Sequence, residues 1–306
     1  MKVLSLFDGI SCGMVALERA NIPVERYVAY EYDEETASKE AYKSFGSAAY
    51  VGSYNYPMIE QKGDVFKGDY SLYKGFDLLI GGSPCTYWSI AKAGGEREKT
   101  SSGLGFDLFM QYVRALKEAK PKWFLYENNE SMSDEIKEEI TKQLGVSPLL
   151  IDSADFSAQI RKRYYWTNIP VVLDYTPKDQ KIEDIIFDDT YKVKDFEKYE
   201  SSKIVSKDGE TVKWDTSGKG YYSQQNRARS KKLKMNTVTA CGRDKCNIWL
   251  GGTKYRYMHP VEAERLQTLP DNYTSILQSD AQRIKAVGNG WTVDVIAHIF
   301  KNLPNE

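Results

Sequence analysis

The chain is poor in the residues on which several classes of protein depend. It holds four cysteines and two histidines in 306 residues. Four thiols (Cys12, Cys85, Cys241 and Cys246) in so long a chain make no disulfide framework. Cys241 and Cys246 stand near zinc-ligand spacing, but no second pair lies close, and His259 and His298 are isolated. A structural zinc site needs four ligands, so no metal is expected. No apolar run approaches the ~20 residues of a membrane span. The opening Met1-Lys2-Val3-Leu4-Ser5-Leu6-Phe7 passes straight into Asp8-Gly9, without a signal peptide's apolar region or cleavage site. The expected setting is cytoplasmic. Internal repeats and low-complexity segments are absent as well.

What is present suits one large or two modest globular domains: 41% hydrophobic and 28% charged residues. Net charge is also nearly missing, at −1, but it is unevenly spread. Between Lys203 and Arg256 there are 13 Lys and Arg against four Asp and Glu. A basic segment inside a near-neutral chain suggests a polyanion-facing surface confined to one part of the molecule. A merely solvated positive face would have the same composition.

Hydrophobic patterning supplies the architecture. Val3 to Phe7 reads as a strand, Asp8-Gly9-Ile10-Ser11-Cys12-Gly13 as a turn, and the residues through Ala20 as a helix closed by Pro23. Tyr27 to Tyr30 is a second strand ending in Glu31, 22 residues after Gly9. That is a nucleotide-binding βαβ pattern, in which an acid about 20 residues on holds ribose hydroxyls. The glycines do not spell GxGxxG, so the unit alone also fits an ordinary βαβ corner. Asp64 falls at another expected strand end, and Asp77 opens the strand Phe76–Ile80, which runs into Gly81-Gly82-Ser83-Pro84-Cys85. Read alone, Cys85 is a small buried hydrophobe; as the tip of a rigid Gly-Pro turn it is a delivered thiol.

Residues 86–105 read as a long, functional, mobile loop. A helix over 106–119 follows, then a strand from Trp123 to Tyr126 that stops at Glu127-Asn128-Asn129, and a helix over 134–144. Alternation from Gln159 places Gln159, Arg161, Arg163 and Tyr165 on one strand face, with two arginines side by side for bidentate phosphate or base contact. From Asn168 to about Gln225 the apolar pattern weakens, as in a separate small domain or insert. The basic cluster Arg227, Arg229, Lys231, Lys232 and Lys234 then leads into Asn236-Thr237-Val238-Thr239. Helices are expected from Pro260 and from Val293, the latter after Gly288-Asn289-Gly290-Trp291.

In order, these motifs resemble the DNA (cytosine-5) methyltransferase family along the whole chain. The carrying residues are the turn Phe7–Gly13, Glu31, Asp64, Gly82-Ser83-Pro84-Cys85, Glu127-Asn128, Gln159-x-Arg161-x-Arg163, Arg265-Leu266-Gln267-x-x-Pro270 and Gly288-Asn289. Two departures concern subfamily and specificity: Thr86-Tyr87-Trp88 follows Pro-Cys where the family often has Gln, and Asn129 replaces the usual Val.

The resemblance implies an α/β, Rossmann-like S-adenosylmethionine-dependent methyltransferase fold with a mixed, mostly parallel sheet. Residues 1–167 plus 281–306 would form the catalytic domain, and 168–280 a small target-recognition domain. It implies Cys85, Glu127, Arg161 and Arg163 as catalytic residues. Phe7, Asp8, Gly9, Gly13, Glu31, Asp64, Val65, Pro84, Leu108, Asn289 and Trp291 would bind S-adenosylmethionine, leaving S-adenosylhomocysteine. Ser83, Gln159, Arg227, Arg229, Lys231, Thr237 and Arg243 would contact double-stranded DNA, and the enzyme would act as a monomer. The implied chemistry is attack of the Cys85 thiolate on C6 of a flipped-out cytosine, which makes C5 nucleophilic. Glu127 would act at N3 and the exocyclic amine, and must carry a proton at least transiently, which burial favours. The same chemistry on transfer RNA, which one branch of the family performs, is the alternative. A catalytically silent DNA-binding relative is the other.

Overall fold

The computed structural model describes residues 1–38, 45–89, 97–220, 226–240 and 246–303. They form two compact units. Unit 1 comprises Met1–Asp152, Lys162–Tyr175 and Val295–Glu306; unit 2 comprises Ser153–Arg161 and Thr176–Asp294.

Unit 1 is built on a seven-stranded sheet. Its strands are β1 (Lys2–Leu6), β2 (Arg26–Tyr30), β3 (Glu60–Gln61), β4 (Leu78–Gly81), β5 (Trp123–Asn129), β6 (Leu149–Asp152) and β7 (Lys162–Thr167). They lie in the order β3-β2-β1-β4-β5-β7-β6. The first five are mutually parallel, whereas β7 runs antiparallel to both β5 and β6. Strands buried on both faces read as continuous apolar runs, and Val3, Leu4, Val28, Leu78, Leu79 and Leu125 are all fully enclosed.

The helices are α1 (Cys12–Arg19), α2 (Glu34–Ala37), α3 (Ser47–Asn55), α4 (Leu104–Ala119), α5 (Asp134–Leu144), α6 (Pro260–Leu266), α7 (Asp280–Asn289) and α8 (Val293–Phe300). The apolar stripe of α4 packs Phe109, Tyr112 and Val113 into the same cluster as Leu79 and Tyr126. Ser133 caps α5 by accepting from Ile136 N–H, and Gly145 ends it in the left-handed region at φ 71°.

Unit 2 holds a six-stranded sheet: β8 (Val193–Asp195), β9 (Ile204–Val205), β10 (Thr211–Lys213), β11 (Arg227–Ser230), β12 (Asn247–Gly251) and β13 (Lys254–Tyr257), ordered β8-β13-β12-β11-β10-β9. Its small core stacks Phe196 on Trp214, ring centroids 4.7 Å apart and planes within 7°. Behind β13, the guanidinium of Arg256 is wholly enclosed and forms a two-pronged pair with Glu262, both bonds 2.9 Å.

The mixed, mostly parallel sheet agrees with the sequence expectation. The unit boundaries differ from it. Residues 153–161 and helix α7 group with unit 2, because Gln159 and Arg161 bond to residues there. Gln159 Nε2 donates to Leu266 O and to Gln267 Oε1. Arg161 donates to the carbonyls of Val238, Gly288 and Gly290. The expected alternating strand from Gln159 to Tyr165 is corrected too. β7 begins only at Lys162, so Arg161 and Arg163 do not share a strand face.

Removing one partner of a buried ion pair strands the other charge without water. Glu262→Ala is expected to lower the unfolding free energy by about 3–5 kcal/mol, and an Arg256→Met/Glu262→Leu double variant to recover much of that. Denaturant titration of the three proteins reads the outcome.

Candidate active site

Parallel strands deliver their carboxyl ends to one edge, and the register makes this sharp here. Leu6 pairs with Tyr30 and with Gly81, and Gly81 pairs with Tyr126. The residues next in line, Phe7, Glu31, Gly82 and Glu127, therefore emerge side by side. Ligands of such sheets bind at this edge, where the strand order reverses about β1.

The turn after β1 is unusual in its backbone. Phe7, Gly9 and Ser11 all adopt left-handed conformations, at φ 57°, 60° and 60°. Two of them are not glycine, and strain of this kind persists where surrounding structure enforces it. Asp8 supplies the enforcement. Its buried carboxylate accepts from Ser5 Oγ, Ser11 Oγ and Tyr27 Oη at 2.5, 2.5 and 2.6 Å. Burial pushes its pKa up against those bonds. Asp8 thus braces the turn from inside. Gly13 is enclosed within α1.

Glu31 leaves β2 and accepts from Gly9 N–H through Oε2 at 2.8 Å. Burial, with Asp8 and Asp33 nearby, pushes its pKa up to about 7 despite that bond. Asp64 caps a short 3-10 turn, accepting from Phe66 N–H at 2.9 Å, and Val65 is buried behind it. Tyr32 and Phe66, which the sequence reading passed over, keep 49% and 44% of their surface exposed directly beside these two acids. A Cβ placed on Gly9 would meet nothing within 4 Å, so the turn faces open space. Acceptor carboxylates, accessible rings and an open turn fit the ribose and adenine of a nucleoside cofactor. Leu108 instead packs on the core beneath α4. Asp77 accepts from Lys2 N–H at 2.6 Å and is a strand-edge tie.

The thiol lies on the next strand end. Pro84 is exposed, and Cys85, half-buried, opens a 3-10 turn over Cys85–Tyr87. Gly81 has no room for a side chain: a Cβ there would sit 2.7 Å from Leu6 O. Glu127 falls inside β5 rather than at its end, and Arg163 on β7 reaches it, Nε to Oε1 3.0 Å, with both side chains nearly enclosed. Asn128 and Asn129, seen in the sequence only as neighbours of the acid, are structural ties. Asn128 Nδ2 donates to Ser83 O at 3.1 Å, and Asn129 Nδ2 donates to Cys85 O at 3.2 Å.

Several expected contacts lie elsewhere. Ser83 is buried, its hydroxyl 2.7 Å from Tyr126 Oη. Gln159 is fully enclosed, and Arg161 is buried with its guanidinium donating to the carbonyls of Val238 and Gly290 within unit 2. The Thr237 hydroxyl donates to Ile160 O. Lys231 pairs with Asp189, Lys232 with Glu210, and Lys234 bonds to three carbonyls, those of Ser157, Lys178 and Gln180. Arg243 lies outside the described residues. Arg227 and Arg229 remain half-buried on β11, where burial lowers both pKa values and Arg227 lowers that of Arg229 further. Asn289 is exposed at the end of α7, and Trp291 is half-buried just beyond it; both belong to unit 2.

The fold and this edge define a class: an α/β nucleotide-binding sheet with a thiol and a paired acid at its carboxyl side. The chain matches the model for C-5 cytosine-specific DNA methylase over residues 1–305 and belongs to that family. It is 27% identical over 344 aligned positions to Type II methyltransferase M.FnuDI of Fusobacterium nucleatum, covering 99% of this chain and 94% of that one. It is 38% identical over 128 residues to Orphan methyltransferase M.SPRI of Bacillus phage SPR. That match takes in 42% of this chain but only 26% of the phage protein, so the chain spans about a quarter of that relative's length. The Dnmt2 methyltransferase structure from S. pombe superposes with a TM-score of 0.63 at 14% identity, covering 98% of this chain and 97% of that one. At that identity the likeness concerns the fold.

Glu31 offers a pH test. A carboxyl that is harder to ionise when folded costs stability as pH rises from its unfolded value toward about 7. Glu31→Gln removes that cost. Its thermal midpoint is expected to exceed wild type at pH 8, with the gap closing toward pH 4.5, while affinity for a nucleoside cofactor falls.

Proposed function

We propose that this chain is a cytosine-5 DNA methyltransferase that transfers a methyl group to a cytosine turned out of duplex DNA. The observation that carries this reading is the pairing of a tethered thiol with a carboxylate–guanidinium pair on adjacent strands. Asn129 ties the Cys85 backbone to the end of β5, and Glu127 on the same strand is held by Arg163.

Cytosine C5 is too electron-poor to attack a methyl group unaided. Addition of the Cys85 sulfur to C6 forms an S–C6 bond and moves an electron pair through C5 toward N3, one difficult step becoming two easier ones. Glu127 exchanges a proton at N3 as that charge arrives, its orientation fixed by Arg163. S-adenosylmethionine, when bound, supplies the methyl group on a sulfonium that leaves as the neutral thioether. Glu31 would accept its ribose hydroxyls, Asp64 its adenine amine, with Tyr32 and Phe66 beside the ring. The turn Phe7–Gly13 and Pro84 would line the rest. The C5 proton then passes to water, C5=C6 re-forms, and the sulfur departs from C6.

A base inside the duplex offers none of these atoms, so flipping precedes chemistry. In unit 2, Arg227 and Arg229 are the cations best suited to phosphate. They are two residues apart on one strand face, and Arg229 Nε is buried with no hydrogen-bond partner among the described residues. A guanidinium already stripped of water gains from a phosphate that completes its bonds.

Duplexes carrying 5-fluorocytosine cannot lose a proton at C5. Presented to the protein with S-adenosylmethionine across a random-sequence library, they are expected to trap a covalent adduct at Cys85. Cys85→Ala should form none and methylate at least 10³-fold more slowly. Adduct formation on RNA but not on DNA would reassign the substrate, and methylation by Cys85→Ala at the wild-type rate would end the C6-addition mechanism. Separately, replacing Arg227 and Arg229 together by Ala should shrink the slope of log affinity against log salt by about 2. Fluorescence anisotropy over a salt series reads it, and an unchanged slope would remove both from the interface.

A further inference from the structure

Arg97 and Glu98 bond to the turn that carries Cys85 and to its supports, through contacts the chemistry above does not use. Glu98 N–H donates to Tyr87 O at 2.9 Å. Its Oε2 accepts from the indole Nε1 of Trp88 at 3.2 Å, and its Oε1 from Gly105 N–H in the first turn of α4 at 3.1 Å. Tyr87 and Trp88 are part of the thiol's own turn, whose Cys85 carbonyl accepts from the N–H groups of Trp88 and Ser89 at 3.1 and 2.9 Å. Trp88 is completely buried.

Two glycines make the space for this carboxylate. A Cβ on Gly103 would come within 2.6 Å of Glu98 Oε1, and one on Gly105 within 2.6 Å of both Glu98 Oε2 and Tyr87 Cβ. Arg97 reaches the same carbonyl by a second route. Its Nη1 donates to Ser131 O at 2.8 Å, Ser131 Oγ donates to Asn129 Oδ1 at 3.3 Å, and Asn129 Nδ2 donates to Cys85 O at 3.2 Å. A carboxylate at a helix N-terminus has an ordinary explanation in the helix dipole. That explanation requires only the Gly105 contact; the Trp88 contact satisfies a buried indole N–H, and with the Tyr87 contact it fixes the carboxylate to the turn that carries Cys85.

We propose that Arg97 and Glu98 are positioning residues that latch the Cys85 turn to α4 and to the end of β5, so that placement of the thiol depends on their contacts. The proposal rests on Cys85 being the nucleophile. Neither residue touches a substrate; each acts through the backbone of the turn.

The test is the rate at which iodoacetamide alkylates Cys85, read by peptide mass spectrometry, in wild type, Glu98→Gln, Glu98→Ala and Arg97→Ala. The kcat and KM for methyl transfer and the thermal midpoint are measured alongside. Unlatching is expected to change Cys85 alkylation several-fold while buried Cys12 and Cys246 stay protected, and to lower kcat roughly tenfold with KM for DNA nearly constant. Glu98→Gln keeps an acceptor and should fall between Glu98→Ala and wild type, so it carries the test if the alanine variant does not fold. Wild-type alkylation and kcat in Glu98→Ala would overturn the latch. So would alkylation rising in parallel at Cys12, Cys85 and Cys246 with a fall in thermal midpoint, the mark of a purely structural role. If no duplex is methylated by the wild type, the cytosine reading fails, and the alkylation rates still decide the latch by themselves.

Discussion

Everything at the candidate site depends on the in-register parallel pairing of β1 with β2 and β4, and of β4 with β5. Because Leu6, Tyr30, Gly81 and Tyr126 lie level with one another, the residues just beyond them are fixed in a row before any side-chain contact forms. A shift of one residue in any strand would turn every side chain to the opposite face. The buried apolar side chains of these strands prohibit that shift, so the core that stabilises the sheet also sets the chemistry's geometry. Gly81 shows how tight the arrangement is, since its Cα faces Leu6 O and the ring of Tyr112 with no room for a methyl group.

Register alone delivers strand ends, not reactive groups, and the remaining precision comes from side chains that bond to backbone. Asp8 holds three hydroxyls around a left-handed turn. Asn128 and Asn129 fasten the Ser83 and Cys85 carbonyls to β5. Each of these groups is largely enclosed, where an unsatisfied polar atom is costly and a satisfied one is correspondingly directive. Asn129 is instructive because it departs from the family's usual apolar residue. An apolar side chain could fill the space but could not grip the Cys85 carbonyl. The departure therefore converts a packing position into a tether on the thiol.

The order of elements, the parallel sheet and the strand-end positions of Glu31 and the Cys85 turn were legible in the sequence because each follows an apolar run, whereas Glu127 follows such a run but lies within β5. What the sequence obscured shares one cause: partners distant along the chain. Gln159 and Arg161 satisfy an alternating strand pattern perfectly well, yet their bonds go to residues 77 to 129 positions away, and those bonds draw 153–161 out of the sheet unit. Ser83 sits in a motif and looks accessible, but Tyr126 on the next strand claims its hydroxyl. Glu98 lies in a glycine-rich stretch with no apolar period, and only the folded chain reveals which atoms the glycines make room for.

Charge counting had the same weakness. The basic segment suggested a polyanion-facing surface confined to one part of the molecule, but a formal charge says nothing about what already neutralises it. Lys231 and Lys232 face carboxylates, and Lys234 is consumed by three carbonyls. Arg256 is deeper still, enclosed with Glu262. Arg227 and Arg229 are half-buried on β11, where burial lowers both pKa values, and Arg229 Nη1 also donates to Asn236 Oδ1 at 3.1 Å. A guanidinium in that state has already met much of the desolvation cost of binding an anion. Two of them on one strand face of β11 are the pair proposed above to meet phosphate.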